Sequence, residues 1–213
     1  MTGRRLAARC ALMVACSTAC AGCAGAPGAR AGGGVLLPTG IALLDFNESY
    51  PVQGRTAPAL LSEMQRNGPV FQGQREFGGS TWTIRYRWRG TSPGTSACTA
   101  QGLEVVVLVT TTMPEWRDAD SASAELRGQW ARFIAALRAH EEGHRRIALE
   151  AATAVQRRLE DLQVVDCSSY AREAESAYRH LHDLHVARDV RYDATTQHGI
   201  LQGAVWPPPG PAP

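Results

Sequence analysis

The chain has 213 residues, 44% hydrophobic and 20% charged, which is room for one ordinary globular domain plus an export segment. That balance excludes a polytopic membrane protein, a wholly disordered chain and two large catalytic domains. The formal net charge is +2, and setting aside Arg4, Arg5 and Arg9 of the extreme N-terminus lowers it to −1, so no basic surface for nucleic acid is expected.

Met1 to Arg9 carries those arginines, and an uncharged, weakly apolar stretch follows from Ala11 to Ala26. This is the pattern of a bacterial signal peptide, too short and too weakly apolar for a membrane span. Ala21-Gly22-Cys23 resembles the end of a lipoprotein cleavage box, which makes Cys23 the expected lipidated first residue and the membrane surface a partner through its lipid anchor. Cleavage near Ala24-Gly25-Ala26, giving a freely secreted or periplasmic protein, is the other reading. The organisation expected is a signal peptide over residues 1–23, a Gly- and Ala-rich tether over 24–40, one folded domain over 41–206 and a disordered Pro-rich tail over 207–213. Beyond the signal segment two of the six cysteines remain, Cys98 and Cys167. In an exported protein such a pair is expected to be oxidised to a disulfide.

The first half of the domain carries strand signals. Ile41 to Phe46 is apolar, Thr81 to Trp88 alternates apolar with polar, and Leu103 to Thr112 is a β-branched run that suits a buried strand. Ala57 to Arg66 reads as a short helix closed by Asn67-Gly68-Pro69, and Gly78-Gly79 as the turn of a hairpin between Val70–Phe77 and Thr81–Trp88. The second half changes period. Leu126, Trp130, Phe133, Ile134 and Leu137 step by three and four, and the stripe resumes at Ala148, Ala151, Ala152, Val155, Leu159 and Leu162, one face of a long helix from Ser123 to about Leu162. A further helix is expected over Ser169 to Ala187. The fold class expected is α+β: a mostly antiparallel N-terminal sheet, a long helix and a C-terminal helix.

Between the two halves of the stripe lies His140-Glu141-Glu142-Gly143-His144. Two histidines four residues apart leave a helix on the same face, close enough to share one metal ion, and the glutamate after the first lies beside that face. This is the HExxH arrangement of zinc peptidases, with His140 and His144 as ligands of Zn²⁺ and Glu141 as the general base. A catalytic zinc needs a third protein ligand. His198 is the expected choice, placed on a loop after the last helix, with Gly199 permitting close approach. Asp193 is its rival for the metal and otherwise a hydrogen-bond partner of a ligand histidine, while Tyr192 is read as a donor to the developing oxyanion. His180, His182 and His185 read as a His-rich helix surface, and Glu173 and Glu175 have no supporting motif as ligands.

Tyr50-Pro51-Val52-Gln53-Gly54, Trp82-Thr83-Ile84, Cys98, Pro114-Glu115-Trp116, Trp130-Ala131-Arg132-Phe133, the HExxH segment, Cys167 and Tyr192-Asp193-Ala194-Thr195-Thr196-Gln197-His198-Gly199 together resemble the bacterial domain-of-unknown-function-922 family, described as predicted secreted zinc-dependent proteases. The resemblance covers roughly Ile41 to Trp206 and implies a zincin-like fold and export. The function expected is therefore an exported zinc metallopeptidase acting on peptide or protein substrates, with Leu103 to Thr112 as an edge strand that pairs with substrate. A non-catalytic zinc-binding envelope protein and an amidase acting on cell-wall peptides are the alternatives.

Overall fold

The computed structural model describes residues 33–71, 73–93 and 97–208. Cys23 and the expected signal peptide lie outside the described residues, as do residues 209–213 of the expected tail. In chain order the elements are β1 (Gly34–Leu36), β2 (Ala42–Val52), α1 (Ala57–Asn67), β3 (Val70–Phe71), β4 (Gln74–Arg75), β5 (Gly79–Arg87), β6 (Gly90–Pro93), β7 (Cys98–Gln101), β8 (Glu104–Trp116), α2 (Ala124–Glu160) and α3 (Tyr170–Thr196). Among the described residues no helix is long and apolar enough to cross a membrane.

The class is α+β, as the two sequence periods imply, but the sheet is mixed. Its order is β1-β2-β8-β5; β1 with β2 and β5 with β8 are antiparallel, whereas β2 runs parallel to β8 over its whole length, from Ala42↔Val106 to Val52↔Trp116. The expectation of a mostly antiparallel sheet fails at this longest pairing. After β2 the chain crosses through α1 and returns along β5, so β8 enters between them in the direction of β2. For the same reason Leu103 to Thr112 is no edge: β8 has neighbours on both sides, as its Val105-Val106-Val107-Leu108-Val109 run suits, and the border strands are β1 and, next to β8, β5. The expected tether also ends earlier than residue 40, because Gly34–Leu36 pairs with the outer side of β2.

Gly78-Gly79 makes no hairpin turn. The turn lies between β3 and β4, and the two glycines sit where the chain must pass close to other groups. A Cβ on Gly79 would lie 1.9 Å from the Phe71 ring, and one on Gly78 would lie 3.0 Å from the Leu137 side chain. This close approach seats the segment before β5 directly over the middle of α2.

α2 starts at the Ser123 cap, whose side chain accepts from the Leu126 N–H, and runs 37 residues without proline. Its C-terminal half packs Ala148, Ala151, Ala152, Val155 and Leu159 on Ile41, Leu43, Ile84, Val105 and Val107 of the sheet. Its N-terminal half packs Leu126, Phe133 and Leu137 into a second cluster with Tyr50, Val52, Leu60, Met64, Trp116 and Trp206. Between these apolar clusters, the same face of α2 buries His140, Glu141 and His144. Arg145 pins this stretch to the sheet, its Nε donating to Asp45 Oδ2 of β2 at 2.7 Å.

Cys98 and Cys167 are joined by a disulfide, and Cys98 also exchanges main-chain hydrogen bonds with Val164. The bridge ties β7 to the 3-10 turn Cys167–Ser169 that leads into α3. With the cysteines 69 positions apart in sequence, loop closure in the unfolded chain makes the bridge worth about 4 kcal/mol. Replacing both by alanine is expected to lower the free energy of unfolding by that amount in denaturant titrations, with the sheet intact.

α3 is longer than the expected helix over Ser169 to Ala187. No Gly or Pro interrupts the chain between Tyr170 and Thr196, and it continues to Thr196, where Gln197 adopts the left-handed conformation (φ 51). Tyr192 and Asp193 therefore stand on the last turns of a helix and not on a loop.

Candidate metal centre

One turn of α2 separates His140 from His144, and their rings lie 4.8 Å apart and nearly perpendicular, so that the two Nε2 atoms come within 3.2 Å. α3 packs alongside and presents Asp193, whose Oδ1 is 3.1 Å from His140 Nε2 and 3.0 Å from His144 Nε2. The three atoms form a nearly equilateral triangle. Ligand atoms bonded to one tetrahedral ion at 2.0–2.1 Å stand about 3.3 Å apart, so His140, His144 and Asp193 are a group that can hold a metal ion with little rearrangement.

Both rings are held from behind. His140 Nδ1 faces Gln202 Oε1 at 2.9 Å, and His144 Nδ1 faces Asp189 Oδ1 at 2.8 Å. Because both partners are acceptors, each Nδ1 carries a proton and each Nε2 is the ring atom turned toward the triangle. Asp189 is itself fixed by the Trp82 indole, which donates to its other oxygen at 3.2 Å, and it precedes Asp193 by one turn of α3 on the same face. Burial alone would lower the His144 pKa, but Asp189 and Asp193 outweigh it and raise it to about 10. Burial works to raise the Asp193 carboxyl, yet the hydrogen bonds of His140 and His144 hold it below the usual carboxylate range.

Glu141 lies next to this triangle, 3% exposed, and its Oε2 has no hydrogen-bond partner. Burial pushes the carboxyl above its ordinary pKa, against the pull of His144, Ser80 and His140. A buried carboxyl oxygen without a partner is costly in a folded protein. Glu141 also borders two cavities. One, of about 620 Å³, lies on the β5 side and is floored by His140, Glu141, His144, Asp189 and Asp193. The other, of about 730 Å³, lies on the β2 side of α2 and is lined by polar and charged groups that include Asp45, Thr111, Arg138 and Arg145.

The remaining sequence-predicted residues take other places. His198 does not join the triangle: its side chain is 56% exposed, with Nδ1 3.7 Å from Asp193 Oδ1, and it stands at the wall of the same cavity, because α3 runs on to Thr196 and it is Asp193 that reaches the two histidines. Tyr192 does not face the cavity as an oxyanion donor. Its ring stacks on His140 at 5.0 Å and meets His144 edge-on at 5.0 Å, and its hydroxyl donates to the His140 carbonyl at 3.1 Å. Tyr192 is thus a platform beneath the two imidazoles, and this accounts for the glycine inside HExxH, since a Cβ on Gly143 would stand 2.1 Å from the Tyr192 oxygen. Gly199, with φ +84, lets the chain pass His140, where a Cβ would come within 3.0 Å of the ring. His180 is exposed, His182 meets Trp82 at a tilt of 59°, and His185 is buried with Nδ1 bonded to the Leu181 carbonyl. Glu175 takes the Tyr86 hydroxyl. None of these belongs to the metal group.

The residues that sequence reasoning missed are Asp189 and Gln202. Asp189 carries one signal, the four-residue step to Asp193, which has meaning only once both are known to lie on a helix. Gln202 sits in the 3-10 turn Ile200–Gln202 and has none.

The molecule is thus an α+β domain whose two longest helices bring a His–His–Asp group and a buried glutamate to the floor of one cavity. The model of a family described as bacterial proteins of unknown function (DUF922) matches residues 47–199, and the chain belongs to that family. The matched region includes His140, Glu141, His144, Asp189, Tyr192, Asp193 and Gly199. No curated protein and no solved structure matches the chain.

Proposed function

We propose that this protein is an exported zinc-dependent peptidase of zincin-like architecture. The observation that carries the proposal is the convergence of His140 Nε2, His144 Nε2 and Asp193 Oδ1 beside the unpartnered Oε2 of Glu141. Two imidazoles and one carboxylate suit zinc and leave a coordination position open, and such an ion supplies Lewis acidity toward a carbonyl and toward water. The protein's own groups do the rest. Asp189 and Gln202 keep both histidines in the Nε2-facing tautomer. Glu141 takes a proton from the attacking water as the carbon–oxygen bond forms, and delivers it to the departing amine as the carbon–nitrogen bond breaks. Substrate lies along the start of β5, the border strand whose Gly79 and Ser80 line the same cavity, pairing main chain to main chain.

Export is supported by the N-terminal arginines with the uncharged stretch behind them, and by the disulfide, which belongs to oxidising compartments. Retention at the membrane through Cys23 is part of the same proposal. The test is hydrolysis of casein and of purified cell wall by the zinc-loaded protein. Cleavage of casein that is abolished by a chelator and restored by zinc is the expected result. Cleavage of cell wall alone would move the activity to an amidase, and no cleavage of either would remove the enzymatic reading.

A further inference from the structure

Above its polar floor, the cavity over the metal group has one apolar side, while Gln74, Arg75, Glu76 and His198 line the remainder. Phe71 and Phe77 come from the segment before β5, Leu137 from α2, Val190 and Ala194 from α3, and Ile200 from the turn behind it. Val190 and Ile200 are 53% and 51% exposed, although they stand beside the most deeply buried polar cluster of the described residues. Large aliphatic groups left in water at the rim of a cavity gain free energy only when something apolar covers them. The occupant must also bring a polar reacting group to the floor, where His140, Glu141, His144 and Asp193 converge, and main-chain groups to Gly79 and Ser80 at the border of β5. An extended peptide carrying one bulky apolar side chain, seated on the apolar side of the cavity and away from Arg75 and Glu76, meets all three conditions.

We infer that the substrates are peptides with a leucine- or phenylalanine-sized apolar residue next to the bond that is cut, its side chain seated between Phe77, Leu137, Val190 and Ile200. This rests on the zinc-site reading above, so the probe is one that reports on the metal and on the slot separately. Affinities of the zinc-loaded full chain are measured for acetohydroxamate, which has a methyl group, and for 4-methylpentanohydroxamate, which adds a leucine-like branch. The branched probe is expected to bind about 30-fold more tightly. Val190→Ser with Ile200→Ser, two exposed positions that the core does not need, is expected to cut that ratio to about threefold. Equal affinities for the two probes, or a ratio that survives the double substitution, would overturn the inference and leave the metal site standing. Binding of neither probe to a chain that retains zinc would overturn the open metal site, and the inference with it.

Discussion

Asp193→Ala is expected to lower zinc affinity by about three orders of magnitude in chelator competition, since apparent binding free energies of roughly 10–16 kcal/mol are shared among three or four ligands. His198→Ala is expected to stay within about threefold of the parent. The contrast follows from position alone: Asp193 Oδ1 is 3.1 and 3.0 Å from the two histidine nitrogens, whereas the His198 side chain is more than half exposed. Asp189→Asn, which weakens only the support behind His144, should fall between them, at about a 10- to 100-fold loss. Equal zinc retention by Asp193→Ala and the parent would mean that the triangle is a hydrogen-bonded cluster and not a binding site.

Glu141→Gln is expected to separate chemistry from binding. The amide keeps the size of the carboxyl but cannot take a proton, so turnover should drop by about 10²- to 10⁴-fold or more with zinc affinity nearly unchanged. The same substitution should make the metal-free protein more stable, by about 1 kcal/mol, because it removes a buried carboxyl with an unpartnered oxygen. The sign follows from the direction of the pKa shift. Burial raises the Glu141 pKa in the folded state, so ionising it above its unfolded value costs stability, and that cost is absent in the amide. A variant that loses activity while gaining thermal stability would mark Glu141 as a group held at the expense of the fold. Unchanged activity would exclude it as the base.

The part of the site that lies on α2 was legible because periodicity and chemistry coincide there: the apolar stripe sets the face, and His140, Glu141 and His144 interrupt it at helical spacing. The part on α3 was less so. α3 carries no apolar stripe like that of α2, and after Ala187 the charged residues Arg188, Asp189, Arg191 and Asp193 suggest solvent, so the sequence places the end of the helix nine residues early. That boundary decided the third ligand. On a loop His198 is free to return to the metal, whereas on a helix continued to Thr196 it is Asp193 that points inward, with Tyr192 wedged beneath the histidines. The segment from Tyr192 to Gly199 was recognised as a unit, but the work of its members comes from packing: Tyr192 against Gly143, and Gly199 against His140. Gln202 was invisible because a turn places it. In the sheet, β2, β5 and β8 were readable from residue type and β1 was not, while the parallel pairing of β2 with β8 depends on a crossover of about fifty residues that no local pattern records.

Zinc-edge X-ray absorption on the zinc-reconstituted full chain addresses the central claim most directly. One zinc per chain, with two imidazole nitrogens and two oxygens at about 2.0–2.2 Å, one of the oxygens from a carboxylate, is the result the account predicts. A chain that holds no zinc after reconstitution, or a shell with three imidazoles, would contradict it.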